Sequence, residues 1–499
     1  MNRLAAAPVL AVIGLIALGS VGCAVNPVSG RPELTLISTE EEKKLGAEEA
    51  KKVEQQMGLL EDAELTAYLE AVGQRLAKES PRQDVTYQFR IAEMVEPNAF
   101  ALPGGYIYVS RGLLALVNTE DELAGVVGHE IGHVAGKHTV QKISKQGPVA
   151  VVFGVVSGLT SFIPVVGNIV GGISDFTQSL VFAPYDRSQE TQADRVGQEI
   201  AARAGWEPAA LSRFLATLGR EVELTSKGAA KPSFFDSHPA TPDRVARTAA
   251  HAGELTRANR PPISPTREAF LARLDGLVVG QRAAHGVITG RTFVHPDLDV
   301  VLVFPEKWAL DNTPQQVAGV APDKEAAVLF RAVADGDDPL EGARRVEKAL
   351  KTPVVANTKT TQINGLPAAR TQLEAEGKVG LDLTWIAHGG VVYQVAGLAP
   401  KHRFAGQQTL FTTVAQSFRP LTTAERAGVK ELRIRLVKAR GGETLEALAL
   451  RTKSAWTKDA IAVTNGLAAG ASLSEGQLVK VAVAEPYTAT SGRERMRTR

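Results

Sequence analysis

Residues 129–133 read HEIGH, inside the run DELAGVVGHEIGHVAGKH of Asp121–His138. The Ala, Gly, Val and Ile around the motif describe a helix packed on its apolar side, and such a face excludes polar groups. Imidazoles and a carboxylate left there without partners would cost on the order of several kcal/mol. The fold must therefore bring complementary groups to this helix from elsewhere, and no other feature of the sequence constrains it as much. Thr119 with Glu122 fits a capping box, which marks the helix start independently of the motif.

His129 and His133 stand one helical turn apart on the same side, so both imidazoles reach a single metal ion. Glu130, beside His129, is placed to take a proton from water held by that metal, the arrangement of zinc hydrolases. Zinc then needs a third protein ligand and an open position. Every other histidine and many carboxylates are nominal candidates. Glu190 and Asp194 are the informative pair, because they share one helical face in RSQETQADRVGQEIAARAG. Glu190 is able to ligate, and Asp194 to accept a hydrogen bond from a ligand histidine and hold its tautomer. The alternative is a solvated acidic face.

The single cysteine, Cys23, excludes an intramolecular disulfide and a multi-cysteine metal site. Before it lies an early Arg, an apolar run and Gly22, the pattern of a secretory signal rather than a membrane anchor. A small residue before a lone cysteine resembles a bacterial lipoprotein signal over residues 1–23, which implies lipidation of Cys23. Ala24 in place of Asp resembles outer-membrane sorting. Acyl chains would hold the protein to a leaflet without spanning it. A net charge of +2 over 499 residues supplies no basic field for nucleic acid.

Residues 24–38 read as a tether. A helix follows with Thr39 and Glu42 as its capping box, then another over Ala63–Lys78. Strands are expected in RQDVTYQFRIAEM and on both sides of the Gly104-Gly105 turn, and one helix from Asp121 through Lys142. Residues 146–174 carry no charge and are long enough to span a membrane, but their prolines and glycines favour a broken apolar hairpin. Further helices are expected over 179–205, 208–223 and 241–252. Three prolines in TRANRPPISP, residues 256–265, mark a boundary. Residues 266–425 read as an α+β domain, with helices at 325–334 and 339–348 and a strand around Phe411. Residues 430–486 read strand, helix, helix, strand, before a tail of disordered character.

With these motifs together, residues 35–255 resemble the M48 family of zinc metallopeptidases. The family pattern of HExxH on one helix and ExxxD on a later one falls on His129, Glu130, His133, Glu190 and Asp194. NAFALPGGYIYV resembles the family's strand beside the cleft, and SHPATPDR another of its motifs. The resemblance implies a multidomain chain whose first domain is a mainly α-helical, zincin-type fold with a small β-sheet. It implies one zinc per chain on His129, His133 and Glu190, with Glu130 activating zinc-bound water. Asp194 and Arg244 would support these ligands. His238 would face the zinc, as a transition-state donor or as a reversible plug. Asn98, Ala99, Phe100 and Ala101 would bind the substrate backbone.

His138 reads as a helix-end histidine off the ligand face, and His251, His285, His295, His388 and His402 as structural. The chain lacks the several spanning helices of the prenyl-protein proteases and any clear tetratricopeptide array. It resembles the lipoprotein-type envelope members, which implies a periplasmic location at the outer membrane and protein or peptide substrates. The middle domain is loosely similar to PsbP-like and Mog1-like folds, with Trp308 and Trp385 in its core. Gly442, Thr444, Leu445, Asn465, Leu467, Gly476 and Gln477 match a LysM-like βααβ module, which implies peptidoglycan as a candidate ligand. The expected function is endopeptidase action on misfolded or unassembled envelope proteins. The alternatives are a chaperone-like scaffold and a peptidoglycan-directed hydrolase.

Overall fold

A computed structural model describes residues 23–34, 37–150, 184–225, 234–239, 241–375 and 378–488. The expected leader before Cys23, the apolar stretch beyond Ala150 and the C-terminal tail lie outside the described residues. Two compact units divide the chain, the first built chiefly from residues up to Arg273 and the second from Leu274 onward.

The first unit opens with helices α1 (Thr39–Met57) and α2 (Ala63–Ala77). The cap of α1 is Ser38 with Glu41, one residue earlier than the Thr39–Glu42 box expected: Ser38 N–H donates to Glu41 and Glu41 N–H donates back to Ser38 Oγ. Glu42 is freed for another task. It is buried and forks onto Arg82 at 2.7 and 2.9 Å, while Arg82 also donates to the Val134 carbonyl at 2.9 Å. Glu42 further accepts from Gly104 N–H at 3.2 Å. One buried ion pair thus ties α1 to a sheet turn and to the end of the motif helix.

That sheet orders β1 (Gln88–Ala92), β3 (Tyr106–Ser110) and β2 (Ala99–Leu102), with β1 parallel and β2 antiparallel to the central β3. The turn between β2 and β3 uses Gly104 and Gly105 at φ of 78° and 100°, where a side chain would be strained. Helix α3 (Glu120–Ala135) carries the HEIGH motif. Thr119 Oγ1 accepts from Glu122 N–H at 3.2 Å, but Glu122 reaches back to Asn118 N–H at 2.7 Å, one residue beyond the expected box.

Helix α3 ends sooner than expected. Gly136 closes it, Lys137 turns left-handed at φ 53°, and a separate helix α4 (His138–Ala150) begins. Then come α5 (Arg187–Ala204), α6 (Ala210–Thr225), one helical turn at Phe234–Ser237, and α7 (Pro242–Ala252). Helices α3 and α5 pack backbone to backbone. A Cβ on Gly128 would stand 2.8 Å from the Gly197 carbonyl oxygen, and one on Gly132 2.8 Å from that of Ala193. The proline-rich stretch is bound into this unit, because Ile263 and Ser264 N–H groups both donate to buried Glu120.

The second unit is mixed α+β. Its largest sheet has seven antiparallel strands drawn from residues 309–400. Residues expected to be helical at 325–334 form its third strand, β5 (Ala327–Asp335). Ala327–Phe330 are buried in succession, and an uninterrupted apolar run has no alternation by which to separate strand from helix. The reverse holds at Phe411, where a strand was expected: Lys401–Gln416 is a helix that turns Phe411, Val414 and Ala415 inward. Its threonines favour strands in isolation, and packing at helical spacing overrides them.

Trp385 is fully buried and Trp308 packs at the edge of the core. At the C-terminus, β6 (Lys430–Lys438), α8 (Leu445–Thr452), α9 (Lys458–Thr464) and β7 (Leu478–Pro486) enclose Leu445, Leu448, Ile461, Val479 and Val481. Strands β6 and β7 pair antiparallel, and β4 (Val278–Val279) joins β6 as a third strand. Among the described residues no helix is long and apolar enough to cross a membrane.

Candidate active site

Helix α3 presents His129 and His133 from successive turns, and their Nε2 atoms stand 3.0 Å apart. The glycine contact with α5 brings Glu190 to the same point. Its Oε1 lies 3.2 Å from His133 Nε2, and its Oε2 3.7 Å from His129 Nε2. His238 follows the Phe234–Ser237 turn, and its Nδ1 lies 2.7 Å from Glu190 Oε1 and 3.2 Å from His129 Nε2. One donor atom from each of these residues lies within 4.8 Å of all the others.

Nitrogen and oxygen donors holding one tetrahedral zinc at about 2.0–2.1 Å stand about 3.3 Å apart, and mixed imidazole and carboxylate donors suit that ion. Glu130 supplies a second sign of fit. It is 0 % exposed, and neither of its oxygens has a hydrogen-bond partner among the described residues. A buried carboxylate in that condition is costly unless the site holds something for it to meet. The residues fit a single zinc.

The groups behind the donors orient them. Asp194 Oδ1 accepts from His129 Nδ1 at 3.0 Å, which leaves Nε2 to face the cluster. Arg244 grips Asp194 with two bonds of 2.8 and 2.9 Å and reaches Glu190 Oε2 at 2.7 Å. Burial opposes ionisation of Glu190, but the His238 and Arg244 charges outweigh it and hold the carboxyl well below its usual range. Burial drives His133 well below the ordinary imidazole value, despite its bond to Glu190. An ionised carboxylate and a neutral imidazole are the forms that ligate metal. Glu130 is pushed the other way. Burial raises it, against the His238 and His129 charges.

Asn98, Ala99, Phe100 and Ala101 lie at the entry to and along β2, one of the two outer strands of its sheet, and all are buried. Both amide atoms of the Asn98 side chain lack a hydrogen-bond partner among the described residues. The helical turn that leads to His238 is anchored to this region, since Phe234 N–H donates to the Pro97 carbonyl at 2.9 Å.

His138 stays outside the donor cluster, as expected, but sequence reasoning missed its contact with His133 and missed Tyr185. The expectation for His138 assumed a continuous helix; the break at Gly136–Lys137 instead turns it back, and its Nδ1 meets His133 Nδ1 at 2.9 Å. Burial lowers its pKa to about 4. Tyr185 stacks on the His133 ring at 3.9 Å between centroids, with its hydroxyl 3.0 Å from Thr139 Oγ1. Nothing in the sequence near Tyr185 signals this. The glycines at 128 and 132, in step with the histidines, do signal a close helix partner. His251, His285, His295, His388 and His402 are not members of this donor cluster.

Two glutamate-bearing helices and an HExxH pair around one buried donor cluster define a zincin-type metal centre. The description Peptidase family M48 matches residues 63–252. Metalloprotease LoiP of Escherichia coli is 30% identical over 190 residues, covering 37% of this chain and 69% of that protein. The chain belongs to peptidase family M48. It is also similar to the mitochondrial metalloendopeptidase OMA1 of Schizosaccharomyces pombe, 28% identical over 225 residues, covering 44% of this chain and 63% of the relative. The beta-barrel assembly-enhancing protease of Escherichia coli is 26% identical over 298 residues, covering 58% of this chain and 57% of the relative. The chain thus spans about three fifths of the length of these last two relatives.

Proposed function

We propose that this chain is a zinc-dependent metalloendopeptidase that cuts peptide bonds in misfolded or unassembled proteins of the bacterial envelope. The observation that carries the reading is Glu130: a buried carboxylate whose oxygens accept no hydrogen bond among the described residues, 3.7 Å from His238 Nε2 and beside the donor cluster. His129, His133 and Glu190 would hold the zinc, which would supply Lewis acidity to water and to a carbonyl. Burial raises Glu130, so its carboxylate is able to take a proton on an oxygen and give it to the leaving amine. Strand β2 lines up substrate by backbone pairing at its outer edge, and the unpaired Asn98 amide supports a polar ligand there. Asp194 and Arg244 hold the ligands in place. His238 stands within the donor set, which supports the plug reading over that of a transition-state donor: four protein donors leave no open position.

The lipoprotein-like pattern before Cys23 supports a periplasmic location with an anchor through Cys23 to the outer membrane. The strand–helix–helix–strand order of Lys430–Pro486 supports a LysM-like module with peptidoglycan as its ligand. The test is a pair of measurements on wild type and Glu130→Gln. Equal zinc content, with turnover of denatured casein only in the wild type, is the expected outcome. Equal turnover in both would refute the reading of Glu130, and release of muropeptides without proteolysis would favour a peptidoglycan-directed hydrolase.

A further inference from the structure

A chain of hydrogen bonds runs from the N-terminal segment to His133, and every proton along it is assigned by its neighbours. It begins at Asn26. Backbone N–H groups only donate, and those of Val28 and Ser29 point at Asn26 Oδ1 at 2.8 and 3.2 Å. The other end of the amide is therefore the NH₂ group. It donates to the Gly136 carbonyl at 3.3 Å and to Gln192 Oε1 at 3.4 Å.

Gln192 Oε1 is thereby an acceptor, so His138 Nε2, 2.8 Å from it, carries a hydrogen and donates. In a neutral imidazole the other nitrogen then accepts. That nitrogen, His138 Nδ1, lies 2.9 Å from His133 Nδ1, which must carry the hydrogen between them. His133 Nε2 is left with its lone pair, aimed at the point where His129 and Glu190 converge. A flipped Gln192 amide would set its NH₂ against that of Asn26, reverse the two bonds through His138 and place a hydrogen on the nitrogen that must ligate. Gly136 makes room for the central link, since a Cβ there would stand 2.4 Å from His138 Nε2 and 2.8 Å from Gln192 Oε1.

We infer that Asn26, Gln192 and His138 are positioning residues that lock His133 in its ligating tautomer, so that the N-terminal segment forms part of the zinc site. The inference rests on the metallopeptidase reading above. Asp194 does the same for His129 by charge; among the described residues His138, not a carboxylate, meets His133 Nδ1, so this neutral series takes that role.

The test is zinc affinity by chelator competition on the full chain, with apo-protein melting temperature as a control for folding. Groups behind metal ligands are typically worth about 10–100-fold in affinity. Gln192→Met removes the acceptor at similar volume and is expected to weaken zinc binding within that range. Gln192→Glu retains an oxygen that only accepts, and is expected to keep wild-type affinity. Asn26→Ala, outside the helical core, is expected to weaken binding in the same direction and to a smaller extent. Wild-type affinity in both Gln192→Met and Asn26→Ala overturns the inference, as does Gln192→Glu binding as weakly as Gln192→Met. Should Gln192→Met fail to fold, Asn26→Ala alone decides. A wild-type chain that binds no zinc would instead overturn the metallopeptidase reading.

Discussion

At the scale of single residues, the site depends on groups whose roles are set by what stands behind them. The His129 and Glu130 spacing is a local matter: successive turns put both histidines on one side, and the intervening carboxylate follows. Glu190 and Asp194 obey the same rule on their own helix. His138 does not, because the backbone reverses at Lys137, and a left-handed lysine leaves no mark in a pattern of apolar residues. His238 is the residue whose role the geometry bears on most. It shares the donor cluster with His129, His133 and Glu190. Substitution to Ala is expected to raise turnover of a denatured protein severalfold at unchanged zinc content, measured by steady-state proteolysis. A lower kcat at unchanged KM would assign it to the transition state instead.

At the scale of elements, the pairing of α3 with α5 decides whether there is a site at all. Gly128 and Gly132 let the α5 backbone approach until Glu190 reaches the imidazoles. Gly132→Ala would force the helices apart, and such overpacking costs typically ~1–3 kcal/mol. Both melting temperature and zinc affinity are expected to fall, the second by chelator competition. In the C-terminal βααβ segment, Arg451 forks onto Glu443 at 2.7 and 2.8 Å across helix α8. The Arg451 bonds hold the Glu443 pKa at about 2. A depressed folded-state pKa contributes stability that is present above the unfolded value of about 4.3 and lost as pH falls toward 2. Thermal melts of wild type should therefore drop between about pH 5 and 2 by more than those of Glu443→Gln. Helix and strand assignments were legible where alternation or caps exist, as at Thr119. They failed at Ala327–Asp335 and around Phe411, where burial on both faces or β-branched composition hides the period.

At the scale of the whole molecule, the chain forms two compact units, and among the described residues the cluster of metal-ligating side chains lies in the first. A ligand that binds only the folded state stabilises it by about 2.7 kcal/mol at 100 times its Kd, or about 5–10 °C for a unit of this size. Removing zinc with a chelator should lower one calorimetric transition by about that much and leave the other in place. A shift of both transitions together would mean that the units unfold as one. The sequence by itself determined the chemistry carried on single helices: which residues share a face, and which carboxylate neighbours which imidazole. These follow from backbone periodicity over a few residues. Only the tertiary structure decided that Glu190 meets His133, that His138 turns back to it, and that Asn26 reaches Gln192 across 166 positions. Contacts at that separation are set by which surfaces pack with the least empty space, a property of the assembled core that no local pattern encodes.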